Sequence, residues 1–285
     1  MSVVGVFDSG VGGLSVLEQL RVRLPAQQLI YVADQAHVPY GGRPPAQVRA
    51  FSEAISRVLL AQGADLIVVA CNTASAAALT QLRQTFPAVP FVGMEPAVKP
   101  GARRTRQGRI GVLATPGTFG SRRYAGLLAR YAQGVEAFED PCPGLVEAVE
   151  AGRLDHPDTE AIVRRALAPM LAAGVDTLVL GCTHYPFVQP LIQRLAGPQV
   201  TIIDPAPAVA RRVVHLLAER DGQIQPGSGA EATAPTLYTS GDPRDLARAV
   251  YKLLNLDAPV HALRWRAQDS PALKLVAGSS EWPLA

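Results

Sequence analysis

Cysteine is scarce in this 285-residue chain: Cys71, Cys142 and Cys182 are the whole supply, and three thiols cannot close into a disulfide framework. No Cys-x-x-Cys spacing occurs, so a redox dithiol is excluded, and Cys142 sits in no pattern of metal ligands. Lysine is equally rare, with Lys99, Lys252 and Lys274 beside a large majority of arginine. Charge of either sign is thin. Charged residues make up 18% of the chain, and a net charge of +3 is too weak to point to nucleic acid by itself. No apolar run approaches the roughly 20 residues of a membrane helix. The opening Val3-Val4-Gly5-Val6-Phe7 is too short, and too soon followed by Asp8, for a signal peptide. A soluble, cytoplasmic protein without a membrane association is expected.

What is present is a large apolar fraction, 48%, enough to bury a full core and to exclude disorder. Short runs rich in Val, Ile and Leu fall at residues 3–7, 29–32, 66–70, 91–94, 110–113, 177–181 and 200–203. Between most of them lie stretches with helical spacing, at residues 14–24, 46–62 and 159–173. Continuous apolar strands alternating with helices predict an α/β fold with parallel sheets covered on both faces.

The chain also repeats itself. Val4-Gly5-Val6-Phe7-Asp8-Ser9 matches Ile110-Gly111-Val112-Leu113-Ala114-Thr115 at an offset of 106. Asp65-Leu66-Ile67-Val68-Val69-Ala70-Cys71-Asn72-Thr73 matches Asp176-Thr177-Leu178-Val179-Leu180-Gly181-Cys182-Thr183-His184 at 111. Met94-Glu95-Pro96-Ala97 matches Ile203-Asp204-Pro205-Ala206 at 109. Two pseudo-symmetric α/β domains are therefore expected, with a site between them. The first takes residues 1–97 plus 206–255, returning through a helix at 208–219, a strand at 237–239 and a helix at 243–254. The second takes 98–205. Residues 221–235 read as a loop, and 256–285 as a poorly patterned tail with no evident function.

Cys71 and Cys182 occupy the same place in the two copies, just after a buried strand and entering a helix. Ligands of α/β sheets bind at the carboxyl ends of strands. A helix start there offers free N–H groups and a positive dipole, which bind carboxylates and are expected to lower a thiol's pKa. A single cysteine is readily explained as a small buried hydrophobe. Two at mirrored places, each followed by hydroxyl and amide donors, ask for chemistry. Taking a proton from one face of a tetrahedral carbon and returning one to the other needs two acid/base groups about that carbon. Mirrored halves supply them, and the reaction they supply is racemisation or epimerisation.

Four blocks carry a family resemblance: Phe7-Asp8-Ser9-Gly10-Val11-Gly12-Gly13-Leu14-Ser15, Pro39-Tyr40-Gly41, Ala70-Cys71-Asn72-Thr73-Ala74-Ser75 and Leu180-Gly181-Cys182-Thr183-His184-Tyr185-Pro186. Together, in order from residue 3 to about 243, they resemble the glutamate racemases of the cofactor-independent aspartate/glutamate racemase family. The resemblance implies two related α/β domains, an isomerase acting on glutamate, no pyridoxal phosphate or metal, a homodimer, and a place in peptidoglycan synthesis, hence in cell-wall biogenesis and cell shape. It implies that Cys182 works on L-glutamate and Cys71 on D-glutamate, with Asp8 and His184 tuning the thiols. It implies that Ser9, Asn72, Thr73, Thr118 and Thr183 donate to the substrate carboxylates, joined by Asp8, His184 and the backbone of Tyr40 and Gly41. Glu147 matches the family's acidic residue near the site. Plainer roles exist: Asp8, Asn72 and Thr73 as helix caps, His184 and Tyr40 as core.

Two other readings compete. Gly10-Val11-Gly12-Gly13 follows the first strand and Asp34 ends the second, which resembles a dinucleotide fingerprint. Ser15 stands where its third glycine belongs, and Asp8 would repel a pyrophosphate. Aspartate racemase also uses paired cysteines, but usually carries an acidic residue after Cys-Thr, where this chain has His184. The basic run Arg103, Arg104, Arg106 and Arg109 reads as a solvated loop, so contact with nucleic acid or gyrase is not expected. No extension of the kind seen in activator-dependent relatives precedes the first strand, which argues against such control.

Overall fold

The computed structural model describes residues 2–221, 233–265 and 273–275. The chain opens as β1 (Val3–Asp8), α1 (Leu14–Arg23), β2 (Gln28–Ala33), α2 (Pro45–Ala61), β3 (Leu66–Val69), α3 (Asn72–Thr85) and β4 (Phe91–Gly93). Then come α4 (Val98–Arg104), β5 (Arg109–Leu113), α5 (Pro116–Phe119), α6 (Arg122–Tyr131), β6 (Glu136–Asp140), α7 (Leu145–Glu150) and α8 (Pro157–Ala172). The second copy closes with β7 (Thr177–Leu180), α9 (Gln189–Ala196) and β8 (Thr201–Ile203). The remainder is α10 (Ala206–Asp221), β9 (Thr236–Thr239), α11 (Pro243–Leu254), β10 (Val260–Trp265) and β11 (Leu273–Leu275).

These strands form two sheets, one ordered β11-β10-β9-β2-β1-β3-β4 and one ordered β6-β5-β7-β8. Every pairing is parallel except that of β10 with β11. The period of two in the strands divides the first sheet's side chains between two helical layers. Val4, Val6, Leu66 and Val68 pack with Leu14, Leu17 and Leu20 of α1 and Val213 and Leu217 of α10. Phe7, Ile67 and Val69 point the other way, to Ile55 and Leu59 of α2 and Leu79 and Leu82 of α3. Each fully buried aliphatic side chain of this kind contributes about 1.5–3 kcal/mol. Among the described residues no helix is long and apolar enough to cross a membrane.

All seven short apolar runs become strands, with ends within a residue of those expected. Sequence reading passed over β6, whose Glu-Ala-Phe-Glu-Asp is a charged, partly exposed edge strand. Residues 260–265 do not stand apart as a tail. They pair with β9 in the register Val260↔Leu237, His261↔Tyr238 and Ala262↔Thr239, so the first sheet continues past residue 255. Val-His-Ala-Leu-Arg-Trp is broken by His261 and Arg264 rather than running apolar throughout, as a strand near a sheet margin can be. Of the loop expected at 221–235, residues 222–232 lie outside the described residues, as do 266–272 and 276–285 of the expected tail.

Candidate active site

The carboxyl ends of β1 and β3 in the first sheet, and of β5 and β7 in the second, face one another across a cleft. Its walls are Ser9, Pro39, Tyr40, Gly41, Cys71, Asn72 and Thr73 from one side and Thr115, Val146, Cys182, Thr183 and His184 from the other. The cavity they enclose is narrow, about 10 Å³, so the two walls nearly meet. Three contacts tie the sides together. Thr73 and Thr115 share a hydrogen bond between hydroxyls at 2.8 Å, Ser15 Oγ donates to the Thr183 carbonyl at 3.0 Å, and the Val11 N–H donates to Glu150 Oε1 at 2.8 Å.

Cys71 is extended (φ −142°, ψ 122°) and caps α3, its sulfur accepting from the Ala74 N–H at 3.5 Å. The expectation that a helix start lowers this thiol's pKa is reversed. Burial raises it well above the usual value, and the negative charge of Asp8 raises it further, against the smaller opposing pull of Ala74 N–H. Cys71 therefore rests as a protonated thiol. Asp8 is fully buried at the end of β1 and divides its two oxygens between two roles. Oδ2 accepts from the Gly13 and Gly10 N–H groups at 2.9 and 3.3 Å and so caps the turn into α1. Oδ1 is buried with no hydrogen-bond partner among the described residues. Burial raises the carboxyl's pKa, tempered first by His184 and then by Gly13.

Cys182 has a different neighbour. His184 Nδ1 lies 3.6 Å from its sulfur, and Nε2 lies 2.6 Å from Glu150 Oε1. Burial alone would push the imidazole down, but its hydrogen bonds to Cys182 and Glu150, and their charges, hold it well above the usual value. Both ring nitrogens then donate, one to sulfur and one to carboxylate, which is the bonding of an imidazolium. One thiol thus has a carboxylate beside it and the other an imidazolium.

Glu150 was missed by sequence reading, and Glu147 is not at the site. Val146 lines the cleft, and a residue four positions on lies on the same helix face, whereas each single step turns about 100°. Glu150 is that residue; Glu147 is turned out to solvent. The spacing Val146-x-x-x-Glu150 was the available signal. Glu150→Gln should lower turnover roughly a hundredfold while Glu147→Gln leaves it near that of the parent chain, as steady-state rates of the two purified variants would show.

The glycine block has a steric reason. A Cβ at Gly10 would fall 2.0 Å from Glu150 Oε1, and one at Gly12 would fall 2.4 Å from His184 Nδ1. These glycines let side chains of the second half reach the mouth of the first loop, where a dinucleotide's pyrophosphate would otherwise lie. Asn72 lines the cleft with both its amide atoms buried and without a partner among the described residues, an arrangement that costs free energy unless a ligand completes it. Ser9, Tyr40, Gly41, Thr73 and Thr183 also line it. Thr118 does not. It stands behind Thr115, their hydroxyls 3.2 Å apart, so Thr115 is the wall residue that sequence reading overlooked. The phenol of Tyr40 turns away to donate to Asp34 at 2.6 Å.

A family model described as Asp/Glu/Hydantoin racemase matches residues 13–213. The chain belongs to this family. Within it, it is a glutamate racemase by similarity over nearly its whole length. A glutamate racemase of Pseudomonas aeruginosa is 53% identical, covering 87% of this chain and 92% of its own. A glutamate racemase isoform of Bacillus anthracis superposes with a TM-score of 0.80 at 32% identity, covering 92% of this chain and 97% of that one. The Escherichia coli glutamate racemase, solved with L-glutamate and the activator UDP-MurNAc-ala, also gives 0.80 at 32% identity, covering 96% and 99%. Sheets, order of elements and family agree.

Proposed function

We propose that this racemase interconverts L- and D-glutamate by two-thiol proton transfer, without pyridoxal phosphate or metal. The observation that carries the mechanism is the pair Cys71 and Cys182 lining one cleft from opposite sheets in unlike electrostatic settings. Cys182, its sulfur accepting from the His184 imidazolium, removes the α-proton of L-glutamate as a thiolate. The pair of electrons left on carbon then takes the proton of the Cys71 thiol on the other face, giving D-glutamate and a Cys71 thiolate that Asp8 disfavours. Solvent exchange restores the starting state, and the reverse reaction runs the same steps backwards. Asn72, Thr73, Thr183, Ser9 and the backbone at Tyr40 and Gly41 supply donors for the two substrate carboxylates. The product serves peptidoglycan synthesis in the cytoplasm, and the working form is a homodimer.

The test is circular dichroism of either enantiomer with extensively dialysed, chelator-treated protein. Full activity is expected, decaying to an equal mixture; strict dependence on an added cofactor would sink the reading. Glutamate should be preferred over aspartate by at least roughly two orders of magnitude in kcat/KM, since a carboxylate that misses buried donors loses several kcal/mol. Comparable turnover of aspartate would point to the sister activity.

A further inference from the structure

The wall at residues 39–41 is held in place from the far end of the chain. Asp34 follows β2 and is fully buried, with both oxygens engaged. Its Oδ2 accepts from Tyr40 Oη at 2.6 Å and lies 2.9 Å from His37 Nδ1, both in the loop that builds the wall. Its Oδ1 accepts from Ser240 Oγ at 2.6 Å and from Trp265 Nε1 at 2.7 Å. Ser240 follows β9 and Trp265 ends β10, so three neighbouring strands of the first sheet deliver their carboxyl ends to one carboxylate. Burial, with Asp34 beside it, holds the Tyr40 hydroxyl well above its usual pKa, so it stays a donor.

The packing around this carboxylate is aromatic and close. The His37 ring stacks on Phe51 at 4.0 Å, and Trp265 meets both, at 5.0 Å from His37 and 5.2 Å from Phe51. Ser240 Oγ also accepts from the Ala36 N–H at 3.0 Å, and Arg43 Nε donates to the His37 carbonyl at 2.6 Å. The loop therefore has anchors on both sides of the Pro39-Tyr40-Gly41 turn.

We propose that Asp34 is a positioning residue of the racemase, one oxygen gripping the substrate wall and the other gripped by Ser240 and Trp265. It acts through Tyr40, and its effect falls on substrate affinity rather than proton transfer. This rests on the reading that substrate carboxylates meet the backbone at Tyr40 and Gly41. Trp265→Phe keeps a ring and removes the donor. It should raise KM for glutamate about tenfold with kcat little changed, the loss of one hydrogen bond to a charged group expressed as affinity. Ser240→Ala should shift KM the same way, and it decides the matter if the Trp265 variant fails to fold.

A second readout needs no turnover. Trp282→Phe leaves Trp265 as the chain's one tryptophan, and its emission should move as glutamate is titrated in. Unchanged KM in both variants at unchanged melting temperature would overturn the proposal, as would kcat and KM changing only in step with lost folding. In the parent chain the Gly41 amide NMR signal should move on glutamate binding. A signal that stays still would refute the substrate placement, and the proposal with it, even if Trp265→Phe raised KM.

Discussion

Cys71→Ala and Cys182→Ala should each abolish racemisation while the folded protein still binds glutamate. Both sulfurs are buried beside polar neighbours, and trimming one leaves a cavity of a single atom's size, so the melting temperature should barely move. The loss of rate should reach at least roughly three orders of magnitude, because a group that takes or gives the reacting proton is missing altogether. What survives is diagnostic. A single thiol still takes the α-proton of the enantiomer it faces and returns it, so in heavy water deuterium should enter L-glutamate alone when Cys182 remains and D-glutamate alone when Cys71 remains. In the parent protein, deuterium should reach the product before much appears in recovered substrate, since the donating thiol carries solvent hydrogen. Near-normal racemisation by either variant would make that cysteine core filler and the two-thiol mechanism wrong.

His184→Asn and Asp8→Asn should come next in size. His184→Asn removes the donor to Cys182 and leaves Glu150 Oε1, among the described residues, with the Val11 N–H as its remaining partner. A fall in kcat of about a hundredfold or more is expected, the range for a displaced acid/base partner. Asp8→Asn keeps an oxygen for the Gly10 and Gly13 N–H groups and removes the negative charge that, after burial, most raises Cys71. Its thiol should become easier to ionise, and the pH profile of inactivation by a thiol reagent should move to lower pH in Asp8→Asn. The two variants should lower kcat unequally in the two directions. Parallel loss of helix content and activity would return both residues to capping and core.

Much of the fold was legible because a buried parallel strand has few ways to be written. Leu66-Ile67-Val68-Val69 and Thr177-Leu178-Val179-Leu180 are covered on both faces and leave apolar runs that composition alone detects. Strands near a margin obey no such constraint, which is why β6 and β10 escaped notice. The mirrored thiols were visible because the repeat placed them. Glu150 was not, because its position depends on how α7 is rotated about its axis, and a slip of three residues in a six-residue helix moves a side chain from cleft to solvent. Thr115 hid behind a family pattern that pointed to Thr118. Asp34 read as part of a dinucleotide fingerprint; two of its partners come from residues 240 and 265, which no local window includes.

The repeat is symmetric in its backbone and unsymmetric in what it places beside each sulfur: Asp8 answers to Ala114 in the other copy, and His184 to Thr73. Mirror-image substrates in water have the same free energy, so no arrangement of side chains alters where the reaction comes to rest. The ratio kcat/KM must be the same for L- and D-glutamate in the parent chain and in every variant. Asp8 on one flank and His184 with Glu150 on the other thus divide a fixed quantity: whichever enantiomer is turned over faster must be held more loosely. The difference between the flanks shows as saturation behaviour, with the slower direction saturating at the lower substrate concentration.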